Sequence, residues 1–205
     1  MSNPHPSPIS LAHVVLRTTP ANYPKMVSFY VSLLSATPIY QNDSMTFLRY
    51  DDEHHRIAII QTPDVNPSPE NTLIAGLDHI AFAFATLTSL AQTYISLKSA
   101  TPEPIVPLWC VNHGPTTSMY YRDPNGARVE LQVDNFDTAE EADAFMRSAA
   151  FAKNSIGTDF EPEEWAALIL SKVGLGGEEG LSLEEVKRLK TRSEVGGRRV
   201  PPDYQ

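Results

Sequence analysis

Two histidines and one glutamate carry the sharpest chemical signal in this sequence. His13 stands in L-A-H-V-V-L and His79 in L-D-H-I-A-F, each within an apolar run. Glu130 stands in Y-Y-R-D-P-N-G-A-R-V-E-L-Q, Tyr120 to Gln132, which reads as two strands joined by an Asp-Pro-Asn-Gly turn. A carboxylate among apolar neighbours is costly to bury unless it is paired or bound to a cation. A single histidine on an apolar strand is ordinarily a hydrogen-bonded core residue. Two at matching positions, with a carboxylate nearby, form a ligand set. Two neutral imidazole nitrogens and one carboxylate, with positions left open, suit non-haem Fe(II), and Mn(II) also fits. Zinc accepts the same donors. The competing reading is that both histidines pack in the core and Glu130 pairs with Arg128 or Arg17.

The elements that must position these residues repeat. Ile9–Arg17 reads as a buried strand with His13 in its middle. Asn22–Leu34 has helical apolar spacing, with Pro24 tolerated in its first turn. Strands follow at Thr37–Gln41, Met45–Tyr50 and His55–Gln61. Thr62 to Asn71 contains three prolines and reads as a linker. The order then recurs: a strand at Ala75–Phe84 around His79, a helix at Leu87–Leu97, a weak strand near Pro104–Val106, and strands at Thr116–Tyr121 and Ala127–Val133. Aligning R-Y-D-D-E-H-H-R-I-A with Y-R-D-P-N-G-A-R-V-E pairs Asp51 with Asp123, Arg56 with Arg128 and Ala58 with Glu130. Alanine at the position that mirrors Glu130 leaves that face open for a ligand. The expected fold class is α+β: two βαβββ repeats forming one curved mixed sheet around a metal cleft, with a C-terminal helical tail. The expected organisation is an arm over 1–8, modules over 9–61 and 75–136 joined by a linker over 62–74, a helical tail over 137–192 and a disordered end over 193–205. Helices are expected at Thr138–Ala149, Glu161–Val173 and Ser182–Arg192. The tail could cover a sheet edge, line the cleft or pack on a second subunit.

Bulk properties narrow the partners. A chain of 205 residues can bury a sizeable core. A net charge of −9 argues against nucleic acid or an anionic membrane as the main partner. A single cysteine, Cys110, excludes an intrachain disulfide and reads as an apolar filler. No basic region followed by an apolar run opens the chain, and no apolar run approaches the ~20 residues of a membrane span. The expected location is the cytoplasm.

The motifs around these residues resemble the vicinal oxygen chelate superfamily, and within it the type I extradiol ring-cleaving dioxygenases. The likeness is carried by A-H-V-V-L at His13, D-E-H-H-R-I-A-I at His54–His55, G-L-D-H-I-A-F at His79 and H-G-P-T-T-S-M-Y-Y-R-D-P-N-G-A-R-V-E-L-Q from His113 to Gln132. It implies Fe(II) held by His13, His79 and Glu130, with a catechol-type aromatic and dioxygen as reactants. It also implies His55 as an acid–base group, Tyr120 as a catalytic substrate contact, and His113 as a second histidine serving the substrate. Strand alternation favours His54 over His55 for the side that carries Ala58, so both stay candidates. The superfamily also contains isomerases, lyases and non-catalytic binding proteins, which remain alternatives. The best-known relatives have two such barrels, so this chain is expected to dimerise or to use its tail as a lid.

Overall fold

The computed structural model describes residues 6–66 and 75–171. The chain divides into two compact units, Met1–Ser68 and Pro69–Gln205.

The first unit runs β1 (Val14–Thr18), α1 (Tyr23–Leu34), β2 (Thr37–Gln41), β3 (Met45–Arg49) and β4 (Ile57–Gln61). Its four-stranded sheet has the order β1-β4-β3-β2, with β1 parallel to β4 and the other neighbours antiparallel. α1 buries Tyr23, Met26, Val27 and Tyr30 of its predicted apolar stripe, and also Phe29 and Leu33, while Val31 and Leu34 are half-buried; Pro24 sits in its first turn. Ile57, Ala58 and Ile59 are buried at consecutive positions. Side chains alternate along a strand, so both faces of β4 are covered.

The second unit repeats the plan with β5 (His79–Ala83), α2 (Leu87–Lys98), β6 (Trp109–Asn112), β7 (Thr116–Arg122) and β8 (Arg128–Asp134). It continues into α3 (Ala139–Met146), α4 (Ala149–Lys153), β9 (Thr158–Asp159) and α5 (Pro162–Ser171). Its sheet has the order β5-β8-β7-β6-β9, with β5 parallel to β8. Thr86 caps α2 through a reciprocal pair of hydrogen bonds with Ser89. The protein is α+β with mixed sheets, and the repeats form two hydrogen-bonded sheets, of four and five strands.

Several elements differ from their expected bounds. β1 begins at Val14, where its register with Ile57 of β4 begins, so His13 lies just ahead of the strand and Ile9 and Leu11 are exposed. β5 likewise begins at His79, opposite Arg128, the first residue of β8. No strand forms at Pro104–Val106, because prolines at 104 and 107 have no N–H to give a ladder. The strand forms beyond them as β6. The helix expected at Thr138–Ala149 is divided at Arg147–Ser148, and Ser148 caps α4. The expected helix at Ser182–Arg192 and the end of the chain lie outside the described residues. No described helix is long and apolar enough to cross a membrane.

The described part of the tail is built into the second unit. β9 pairs with β6, and α5 buries Trp165, Ala166 and Ile169 while it packs on α2. Lys98 of α2 meets Glu163 of α5 at 2.5 Å. Gly157 leads into β9 at φ +106, and a Cβ there would stand 2.1 Å from the Asn112 carbonyl oxygen. Gly157→Ala combines backbone strain with overpacking and is expected to destabilise the protein by about 2–4 kcal/mol. Urea unfolding measures this, and a loss below about 0.5 kcal/mol, the scale of an ordinary surface change, would show that the turn is not seated on that backbone.

Candidate active site

The turn between β7 and β8 sets the register on which the second repeat's chemistry depends. The Asp123 carboxylate accepts the backbone N–H groups of Asn125 and Ala127. Gly126 supplies a φ of +90 that other residues adopt only at a cost. Glu130 on β8 therefore lies opposite Tyr120 of β7, with Ala81 of β5 on its other side. It is 4% exposed, between fully buried Val129 and Leu131.

The Glu130 carboxylate has chosen partners. Its Oε2 is 2.8 Å from His79 Nε2, and the Ser118 hydroxyl also hydrogen-bonds it. Burial alone would raise this carboxyl, but the bonds from His79 and Ser118 hold it below its ordinary value. His79 Nδ1 lies 2.6 Å from Asp78 Oδ2, and Arg128 in turn holds Asp78. The hydrogen bond to Glu130 raises the His79 imidazole, against partial burial and with help from Asp78. A carboxylate behind one ring nitrogen fixes the imidazole and directs the other nitrogen forward, the arrangement that orients metal-binding histidines. Arg128, one expected partner of Glu130, pairs with Asp78.

Tyr120 stands beside this pair. Its ring meets His79 edge-on at 5.3 Å, and its hydroxyl lies 3.0 Å from His113 Nε2. His113 Nδ1 bonds the Ile156 carbonyl. A carbonyl only accepts, so Nδ1 carries the proton, and in the neutral ring Nε2 accepts from the Tyr120 hydroxyl. Trp109, opposite Tyr120 in register, stacks on it at 5.0 Å and 22°. Tyr121 points to the other face and is fully buried. Cys110 is buried on β6, and burial pushes its thiol well above the ordinary value, which suits an inert filler.

The first repeat brings a different set together. The His55 ring lies 4.6 Å from His13 and stacks on Phe47 at 4.9 Å and 20°. Phe47 is opposite Ala58, which also flanks Val15, just as Glu130 lies between Tyr120 and Ala81. His54 is 69% exposed at its side chain, with Nδ1 2.5 Å from His55 Nδ1. Both residues precede β4, so strand alternation does not decide between them. Partial burial, then the neighbouring His54 and His13, lower the His55 imidazole.

The structure thus gathers His79, Glu130, Tyr120 and His113 in the second repeat, and His13, His54 and His55 in the first. Among the described residues no assembled group of three or more His, Cys, Asp or Glu could hold a metal ion. The donor chemistry still fits a divalent transition metal: imidazole nitrogens, a buried carboxylate, and Asp78 orienting His79. Asp78, Ser118 and Asp159 are functional candidates the sequence reading misses. Only Asp78 leaves a signal there, since the first repeat has Ala12 at the equivalent position.

Over residues 10–131 the chain matches the Glyoxalase/Bleomycin resistance protein/Dioxygenase superfamily. It is similar to two Rhodococcus globerulus proteins. Biphenyl-2,3-diol 1,2-dioxygenase 2 is 42% identical over 151 residues, 74% of this chain and 76% of that protein. Biphenyl-2,3-diol 1,2-dioxygenase 3 is 43% identical over 152 residues, 74% of this chain and 77% of that protein. Among solved structures, a glyoxylase/bleomycin resistance protein/dioxygenase domain from Frankia sp. EAN1pec is 17% identical, covers 62% of this chain and 99% of its own, and has a TM-score of 0.48.

Proposed function

The chain belongs to the glyoxalase/bleomycin resistance protein/dioxygenase superfamily, and within it we propose that this protein is an Fe(II)-dependent extradiol dioxygenase that opens the ring of a catechol-type aromatic with dioxygen. The observation that supports this most is the buried Glu130 carboxylate, directly opposite Tyr120 and bonded to His79, which Asp78 backs. Similarity to the two biphenyl-diol dioxygenases supports the reaction class and a bulky catechol among the substrates to test.

His79, Glu130 and His13 would hold the metal. When bound, it supplies the Lewis-acid and one-electron chemistry that lets a spin-paired diol react with dioxygen. Both oxygen atoms enter the product, so the overall reaction needs no external reductant. The chain's residues do the rest. Tyr120 hydrogen-bonds a substrate oxygen, and His113 Nε2 accepts from the Tyr120 hydroxyl and steadies its direction. His55 moves a proton to or from the reacting oxygens. Trp109 and the buried Tyr120 ring wall the site on one side and exclude water there.

The deciding experiment is metal analysis of protein purified without oxygen, followed by oxygen uptake with a panel of catechols that includes 2,3-dihydroxybiphenyl. Iron, with stoichiometric uptake and a coloured ring-opened product, is expected. Zinc or nickel with no uptake would sink the proposal in favour of an isomerase or lyase. A further expectation concerns Asp78. Asp78→Asn keeps an acceptor for His79 and loses the charge, and should weaken metal affinity about 10- to 100-fold. Competition with a chelator measures this, and an unchanged affinity removes Asp78 from the site.

A further inference from the structure

We propose that Asp159 and Trp109 form a positioning pair for Tyr120, so that the stretch after the second repeat sets the angle of a ring in the active site. The inference rests on the reading of Tyr120 as a substrate contact.

Four observations converge on residues 156–159. The Trp109 Nε1–H donates to Asp159 Oδ1 at 3.0 Å. The same indole stacks on Tyr120 at 5.0 Å and meets His113 edge-on at 5.6 Å. The Ile156 carbonyl accepts from His113 Nδ1, whose other nitrogen bonds the Tyr120 hydroxyl. Gly157 lies so close to Asn112 and His113 that only a residue without Cβ fits. The Tyr120 ring is thus braced on its face by an indole and at its hydroxyl by an imidazole. Both braces are anchored by one short stretch.

That stretch is itself held by backbone. Val111 of β6 pairs with Asp159, Asn112 pairs with Thr158, and the Phe160 N–H donates to the Cys110 carbonyl. Asp159 is therefore delivered to Trp109 by main-chain register. An indole N–H is satisfied by water or by any carbonyl. A carboxylate gives a charge-assisted bond about twice as strong as a neutral one, in a fixed direction. A stacked ring can slide or tilt at little cost, whereas one with its N–H held must bend or break that bond to move. Asp159 acts through Trp109 and touches no substrate.

The test uses Asp159→Leu, which removes the acceptor, Asp159→Asn, which keeps an acceptor oxygen, and Trp109→Phe, which keeps a ring and removes the N–H. In the zinc-loaded full chain, the Trp109 indole N–H and Tyr120 ring resonances are assigned by their loss in Trp109→Phe and Tyr120→Phe. Asp159→Leu should move both sets. In the iron-loaded protein it should lower kcat about 10- to 100-fold, the cost of a misplaced contact, with KM and metal content unchanged. Asp159→Asn should restore kcat to within about threefold, less than the tenfold that one lost contact is worth. Trp109→Phe should match Asp159→Leu, and the double variant should be no worse than either single one, because the two act as a unit. Additive losses, an unchanged kcat in Asp159→Leu, or a fall in kcat with the Tyr120 resonances unmoved would each overturn the proposal. Should Asp159→Leu fail to fold, Trp109→Phe decides, and full activity there overturns it. If the parent protein cleaves no catechol, the proposed reaction fails. The positioning claim then stands or falls on whether the Tyr120 resonances move in Asp159→Leu and return in Asp159→Asn.

Discussion

Glu130→Ala is expected to remove metal binding and, with it, all measurable ring cleavage. Outer ligands typically change metal affinity 10- to 100-fold, and loss of the only anionic donor in the proposed set should exceed about 100-fold. The fold should survive the change. In the first repeat Ala58 occupies the same register position, between Val15 and Phe47, and is buried there within an unbroken register. Removing a buried charge also removes its desolvation cost, which offsets the lost bonds to His79 and Ser118. His79 retains Asp78 and a side chain 30% exposed, so it is not left as an isolated buried cation. Metal analysis after anaerobic purification, paired with thermal unfolding, separates loss of the site from loss of the fold. Full metal occupancy in a folded Glu130→Ala protein would show that the triad is wrong.

His55→Gln is expected to leave the metal bound and slow ring cleavage about 10²- to 10⁴-fold, the usual contribution of a positioned acid–base group. His55 is chosen over His54 on contacts. Its ring is held between His13 and Phe47, whereas the His54 side chain stands largely in solvent. His54→Gln should therefore change the rate little. Single-turnover measurements on iron-loaded protein separate a slowed chemical step from slowed product release. An unchanged rate in His55→Gln would transfer the role to His54 or His113.

The sequence reveals the periodic parts of this fold and little of its non-local parts. The order β-α-β-β-β, met twice, follows from alternation in the strands and from the apolar stripes of Tyr23–Leu34 and Leu87–Lys98. Strand starts are harder, because pairing decides them. Apolar character alone carries a strand back to Ile9, but β1 has a partner only from Val14. The choice between His54 and His55 follows the same rule. Alternation applies only within a strand, and β4 begins at Ile57, after Arg56 has turned to Asp51 and to the carbonyls of Leu11 and Ala12. β9 has no period to read, being two residues long and existing through β6. Asp78 was within reach by comparing the repeats, as Glu130 was. The contact from Trp109 to Asp159 spans 50 residues and leaves no mark on either local pattern.

The two-residue strand β9 also bears on how one edge of the second sheet is protected from other chains. A strand with unpaired N–H and C=O groups is a template for another chain, and proteins blunt such templates with prolines, bulges or a covering segment. The first sheet ends in β2, exposed along its length, which carries Pro38 and a bulge between Pro38 and Tyr40. The second sheet has no proline in β6, whose sequence is Trp-Cys-Val-Asn, and relies on β9 to occupy that side. Trimming the chain after residue 136 would therefore uncover the backbone N–H and C=O groups of β6 at Val111 and Asn112 and offer them to another chain, whatever became of catalysis.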